Sequence, residues 1–311
     1  MLDFELILET IITLFLTLFY IVSGMVKAVL PVSWLPKKDI SKDTALVTGA
    51  GSGIGRALAI SLAKHGCRLV LWDINEEGNE ATASEIKRFG GRADTYTVDL
   101  SKREDVYKVA DQVLSEVGVI DILVNNAGIV TGKTFLHCPD ALIEKSMQVN
   151  AMAHFWTTKA FLPAMIERDH GHIVSIASTA GLVGVNGLAD YCASKFAAVG
   201  FMESLCVELN SMHKSIETTS VCTFFVKTGL FDGASTRFPS ILPILETDFV
   251  VSKITDAILT NQRTLYIPKV IYSLVALKGF LPDKAAMLLQ KYTGTANSMD
   301  QFTGRQPLKS D

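Results

Sequence analysis

A chain of 311 residues, 49% hydrophobic and 20% charged, carries enough apolar surface for one substantial core, which excludes general disorder. Its formal net charge of -3 comes without a basic stripe or a reading motif, so nucleic acid is excluded as a partner. Five scattered cysteines (Cys67, Cys138, Cys192, Cys206 and Cys222), with no metal-ligand spacing, point to free thiols in a reducing compartment and to no metal.

The first element is the uncharged run "TIITLFLTLFYIVSGMV", Thr10 to Val26. As a helix its seventeen residues reach roughly 25 Å, near the lower limit for a bilayer core of about 30 Å. Asp3, Glu5 and Glu9 precede it without a lysine or arginine, and no small-x-small site follows, which argues against a signal peptide. Lys27, Lys37 and Lys38 follow it, so the positive-inside rule places the body in the cytosol. A membrane anchor is therefore expected over 1–30, as a single span or, at this length, a hairpin or interfacial helix, with a linker over 31–42.

From residue 43 to 268 short apolar strands alternate with helical patterns. Strands are expected at Thr44–Val47, Arg68–Trp72, Thr95–Val98, Ile120–Val124, Ile173–Ile176, Thr218–Cys222 and Thr264–Ile267. Between them lie helices at Gly53–His65, Glu76–Phe89, Glu104–Val117, Asp140–Arg168 and Ala189–Leu209. This alternation predicts an α/β fold, a Rossmann-type doubly wound parallel sheet with helices on both faces. The apolar, lysine-dotted extension over 269–311 is expected to pack late or to touch a membrane.

Directly after the first strand comes "TGAGSGIG", Thr48 to Gly55. Glycines at 49, 51, 53 and 55 permit a tight turn, and the helix behind them offers its N-terminal amides to a pyrophosphate. Asp73, at the end of the second strand, can accept both hydroxyls of an adenosine ribose and would repel a 2'-phosphate; NAD is expected over NADP, although Arg56 lies beside the turn. Asp99 after the third strand can cap an adenine pocket, and "NNAG", Asn125 to Gly128, closes the fourth.

In "YCASK" Tyr191 and Lys195 are i and i+4, so they share one helix face. A neighbouring ammonium favours the phenolate of Tyr191 and makes it a better base. Ser178, just past the strand "HIVSIAS", can hydrogen-bond a substrate oxygen at the carboxyl edge of the sheet.

Together "TGAGSGIG", "NNAG", Ser178 and "YCASK" resemble the short-chain dehydrogenase/reductase family over Asp43 to Pro268. Longer runs such as "CPDALIEKSMQVN" and "GVNGLADYCASKFAAVGF" are similar to its 16C retinol dehydrogenase branch. The resemblance implies that Tyr191 is the acid/base, that Lys195 holds the nicotinamide ribose and tunes Tyr191, and that Ser178 steadies the substrate oxygen. Asn150 of "MQVN" matches a fourth catalytic residue, its amide holding a water between Lys195 and solvent. The implied NAD contacts come from Gly49, Ser52, Gly53, Ile54 and Gly55, from Asp73 and Asp99, and from Asn126, Ala127, Gly128, Tyr191, Lys195 and Thr228.

The implied reaction is reversible NAD-dependent oxidation of all-trans-retinol to all-trans-retinal. A steroid or other lipid alcohol is the alternative substrate, and a weakly active scaffold on a membrane or lipid droplet the alternative role. The resemblance further implies a homodimer at the endoplasmic reticulum membrane with a cytosolic catalytic domain. One departure stands out: in "VCTFFVKTG", Thr223 and Phe224 replace the family's Pro-Gly ahead of Thr228, which is expected to loosen the floor under the nicotinamide.

Overall fold

Strands that are apolar at nearly every position need cover on both faces. In the computed structural model, which describes residues 4–304, they obtain it. Strands β1 (Thr44–Thr48), β2 (Arg68–Asp73), β3 (Arg92–Thr97), β4 (Ile122–Asn125), β5 (Gly171–Ile176), β6 (Ile216–Thr223) and β7 (Thr264–Ile267) form one parallel sheet in the order β3-β2-β1-β4-β5-β6-β7. Helices α1 (Phe4–Val29), α2 (Gly53–Lys64), α3 (Glu76–Arg88), α4 (Arg103–Glu116), α5 (Asp140–Met147), α6 (Ala153–Arg168), α7 (Ala189–Ser211), α8 (Thr247–Leu259), α9 (Val270–Lys278) and α10 (Asp283–Thr293) complete the chain.

The period of two along each strand divides the core into two layers. Ala45 and Val47 of β1 join Leu69, Leu71, Ile122 and Val124 under α2, α3 and α8. Leu46 points the other way, with Val70, Trp72, Leu123 and Ile173, under α4, α6 and α7. Phe161 of α6, fully buried, sets its ring 5.7 Å from that of Trp72. At the amino edge, Asp121 accepts from Thr44 N at 2.8 Å and pairs with Arg168 at 2.7 Å, which ties the starts of β1 and β4 to the end of α6.

Three boundaries differ from the sequence expectation for identifiable reasons. Strand β3 starts at Arg92, because this edge strand carries few apolar residues at its start, and Arg68 Nε bonds Asp94 Oδ2 at 2.9 Å. The expected helix over Asp140–Arg168 is broken by a π turn at Gln148–Met152, with Asn150 inside it. Strand β6 runs on through Thr223, in register with Ile267, and Phe224 N donates to Ile267 O at 2.8 Å. Thr223, standing where the family's proline would, is thus a paired strand residue.

The chain divides between Lys38 and Asp39 into two compact units. In the first, α1 holds an apolar segment, Phe4–Val26, of 23 residues with no buried position. That is about 35 Å of helix, enough for a hydrocarbon core. It exceeds the uncharged run because the helix continues back past Glu9 and Glu5. Thr10 and Thr17 donate their hydroxyls to Leu6 O and Thr13 O at 2.7 Å, so neither needs water. Asp3, the side chain of Lys27 and the last residues of the extension, 305–311, lie outside what the structure describes. In the second unit the extension over 269–304 packs with the sheet domain.

Truncating Phe161 to alanine is expected to cost about 3–5 kcal/mol, read as a lower unfolding midpoint in urea, because the ring fills the layer between Trp72 and α6.

Candidate active site

Strand order reverses between β1 and β4, and their carboxyl ends diverge into a crevice. The two ends are bound together by one threonine. Thr48 Oγ1 donates to Val124 O at 3.3 Å and accepts from Asn126 N at 2.9 Å and Ala127 N at 3.1 Å. Asn126 Nδ2 returns a bond to Thr48 O at 2.8 Å, and a longer one to Gly49 O at 3.3 Å. "NNAG" is thus a clamp on the glycine turn. Within that turn Gly53 has φ of 55°, and a Cβ on Gly55 would collide with the Gly49 carbonyl oxygen.

Ser52 stands at the N-cap of α2 without capping it by its side chain, and no acid occupies the first turn. The positive end of that helix therefore faces the cavity that Ser52, Gly53 and Ile54 help to line, a space of about 420 Å³. At one end the cavity is lined by Asp73 and Asp99. Asp73 is held by Gly51 N on Oδ2 and Asn75 N on Oδ1, both at 2.8 Å, while Asp99 Oδ1 takes the Ser101 hydroxyl at 2.6 Å. Gly49, Asn126, Ala127, Gly128 and Thr228 line the middle. A capless helix end, a carboxylate fixed at the tip of β2 and a glycine floor suit a nicotinamide dinucleotide. Gly55, expected as a cofactor contact, and Asn150, expected as a catalytic residue, lie off this lining.

At the other end stand Ser178, Tyr191 and Lys195. Ser178 leaves β5 in extended backbone, its Oγ accepting from Ala180 N at 3.1 Å. Lys195 Nζ sits 5.7 Å from the centre of the Tyr191 ring, but donates to Ile176 O at 2.9 Å. Burial pushes the Tyr191 phenol well above its ordinary value, and only a hydrogen bond with Ser178 pulls it back. In the chain by itself desolvation outweighs every other influence, and Tyr191 is held as an acid. Burial also presses Lys195 down to about 8. Behind it His154, fully enclosed, is depressed to about 3 by burial and the Lys195 charge, so it stays neutral.

Asn150 acts on the backbone. Its Oδ1 accepts from Ile129 N at 2.8 Å, and its Nδ2 donates to Ile129 O at 2.9 Å and Ser194 Oγ at 3.0 Å. The amide expected to hold a water toward Lys195 is spent on the segment after "NNAG". The π turn is what delivers it there.

Other parts of the site escaped the sequence reading. Asp190, buried beside Tyr191, accepts the Thr131 hydroxyl at 2.8 Å, a pairing across 59 positions that no local pattern shows. The extension returns to the cavity and lines it through Ile271, Leu274, Thr293, Gly294, Thr295 and Ser298. A chain of aromatic rings flanks Tyr191: Phe231 at 5.6 Å, then Phe225 at 5.1 Å from Phe231 and Phe224 at 4.7 Å from Phe225, with Phe302 of the extension 6.5 Å from Phe231.

The depressed Lys195 makes stability depend on pH. Its folded value of about 8 lies below the ordinary 10.5, so between these the unfolded chain binds more protons and stability rises with pH. The raised Cys192 and Cys222 act oppositely from about their ordinary 9.0, and the raised Tyr191 from its ordinary 10.0. Without cofactor, the unfolding free energy should therefore climb by about 0.5–1 kcal/mol between pH 8 and 9 and level off above that. Urea titrations check this, and Lys195→Met should flatten the slope.

Comparison with known proteins agrees with this geometry. Residues 43–237 match the family model described as short chain dehydrogenase. The chain is similar to epidermal retinol dehydrogenase 2 of Homo sapiens, 54% identical over 292 residues, covering 93% of this chain and 94% of that one. It is 48% identical to short-chain dehydrogenase/reductase family 16C member 6 of Bos taurus, over 96% of this chain and 95% of the relative. Among solved structures, a Burkholderia phymatum short-chain dehydrogenase/reductase in complex with NAD superposes with a TM-score of 0.70 at 26% identity, covering 82% of this chain and 96% of that one. A metagenomic short-chain oxidoreductase in complex with NADP gives 0.63 at 31%, covering 74% and 97%. The chain belongs to the short-chain dehydrogenase/reductase family and is a nicotinamide-dependent dehydrogenase.

Proposed function

We propose that the protein oxidises all-trans-retinol to all-trans-retinal with NAD, reversibly, at the endoplasmic reticulum membrane. The observation that carries this reading is the aromatic wall from Phe224 to Phe302, which gives Tyr191 an apolar neighbour suited to a long unsaturated alcohol. The 54% identical human relative bears the name of a retinol dehydrogenase, and α1 offers a tether to the membrane in which such alcohols dissolve. Lys37 and Lys38 after that helix support a cytosolic catalytic domain. Phe155 of α6 and Phe196 and Val207 of α7, apolar and exposed, support a homodimer through the long helices.

For the cofactor, the Asp73 carboxylate favours a free ribose over a 2'-phosphate. Arg56, which could have served a phosphate, is paired with Glu85 at 2.8 Å and does not line the cavity. Gly49, Gly53, Ile54 and Asn126 would shape the pyrophosphate end, and Lys195 and Thr228 the nicotinamide end.

In oxidation, Tyr191 Oη takes the proton of the substrate hydroxyl, and Ser178 Oγ donates to the oxygen as charge develops on it. An oxidised nicotinamide held by Lys195 and Thr228 would supply the hydride acceptor for the carbinol carbon, and the Lys195 ammonium would help to offset the burial that keeps Tyr191 protonated. The phenylalanine wall excludes water from the reacting carbon. In reduction Tyr191 gives its proton to the carbonyl oxygen, the form that burial already favours.

Membranes holding the full chain, supplied with all-trans-retinol and NAD, should form retinal and NADH in equal amounts. Tyr191→Phe should lower kcat by about 10²- to 10⁴-fold while NAD binding persists, measured by fluorescence titration. No turnover by a folded, NAD-binding protein would overturn the retinol assignment, and a steroid and fatty-alcohol panel would then rank other lipid alcohols. Asp73→Asn should shift the NADP-to-NAD ratio of kcat/KM upward by about 10- to 100-fold, the worth of a charged hydrogen bond.

A further inference from the structure

Helices α9 and α10 have two unlike sides. Toward the sheet domain, Ile271 and Leu274 of α9, three residues apart, reach the cavity, and Thr293 to Thr295 close α10 over its rim. Away from it stand large exposed apolar side chains: Phe280 is 86% exposed, Met287 70%, Leu288 69% and Tyr292 58%, the last with the Arg237 guanidinium over its ring. Tyr292 stacks near Phe238 of the loop after β6 at 5.4 Å, and Ile241 of the same loop is exposed as well, so the patch extends across both segments. Apolar side chains gathered in this way mark a contact surface rather than ordinary surface scatter.

The charges around the patch identify what it meets. Between Lys269 and Thr293 the chain carries four lysines, Lys269, Lys278, Lys284 and Lys291, against one carboxylate, Asp283. A second copy of the chain would bring the same positive rim to a symmetric interface, where like charges oppose each other. An anionic lipid surface meets both parts: acyl chains take Phe280, Met287 and Leu288, while lysine side chains reach up to the headgroups. The chain also carries α1, whose apolar segment of 23 residues is long enough to cross a bilayer.

We propose that α9 and α10 form an interfacial membrane-binding surface, with Phe280, Met287, Leu288 and Tyr292 set among the upper acyl chains of an anionic leaflet. Because the same two helices line the substrate cavity, the surface opens that cavity to the lipid phase, and an apolar alcohol passes into it without crossing water. What enters rests on the lipid-alcohol reading above; lipid contact at α9 and α10 does not.

The test is depth-dependent quenching on the full chain in vesicles of phosphatidylcholine with a minority of phosphatidylserine, with and without brominated acyl chains. Leu288→Trp and Phe280→Trp each add emission over the parent, whose three tryptophans give a constant background. Phe89→Trp, at an exposed position before β3, is the control. The added emission at 288 and 280 should fall about twofold or more in brominated vesicles, with none lost at 89. Equal, negligible quenching at all three positions would overturn the proposal, also if a second copy were then found over the patch. Neither result depends on turnover, so failure of the retinol assignment would be seen separately.

Discussion

Everything at the site hangs on the divergence of β1 and β4 and on the threonine that limits it. Thr48 gathers two amides from the end of β4, and Asn126 bonds back to the carbonyls of the glycine turn. The strands therefore separate by a fixed amount: wide enough for the amino end of α2 to face the crevice, and narrow enough that Gly55 has no room for a side chain. From that junction the β2 tip supplies Asp73 on one side, and the β5 end supplies Ser178 on the other. A polar clamp of this kind, with Thr48 and Asn126 bonded to each other's backbone, holds its geometry better than packing alone would.

The chemistry at the far end is a contest between burial and charge. Tyr191 and Lys195 are both enclosed, and in each desolvation favours the neutral form. Lys195 keeps its donor on Ile176 O, and the neutral His154 behind it adds no counter-charge. Tyr191 is thus protonated beside a Lys195 ammonium whose hold on its proton burial has weakened, and a positive charge placed over them has the largest effect where water is scarce. The aromatic wall that flanks Tyr191 also gives the cavity an apolar side. One set of side chains, Phe224, Phe225, Phe231 and Phe302, forms that wall.

The sheet, its helices and the two ends of the cavity were legible in the sequence because each rests on a local signal. Strands buried on both faces read as apolar runs, the glycine turn sits between a strand and a helix, and Tyr191 and Lys195 are four apart. What was not legible depends on distant partners. Strand β3 carries few apolar residues at its start, where Arg68 bonds Asp94. Asn150 looked like a polar residue inside a helix, since a π turn has no pattern of its own, and its real partner, Ile129, lies 21 positions away. The fold-back of the extension could not be seen either: Met299 and Phe302 are isolated apolar residues in a polar tail, and only the packing against Tyr191 and Phe231 gives them meaning. Spacing shows the cation beside Tyr191 but not the depth of burial that holds its phenol protonated.

The central claim is that Tyr191 and Ser178 position a lipid alcohol for direct hydride transfer to NAD. The most direct measurement uses membranes holding the full chain, NAD, and all-trans-retinol with deuterium at both carbinol positions, followed by mass analysis of the reduced cofactor and the aldehyde. The account predicts that the reduced cofactor carries a single deuterium and that the retinal keeps the other. Retinal formed beside unlabelled reduced cofactor would contradict it, as would a labelled cofactor formed equally well by Tyr191→Phe.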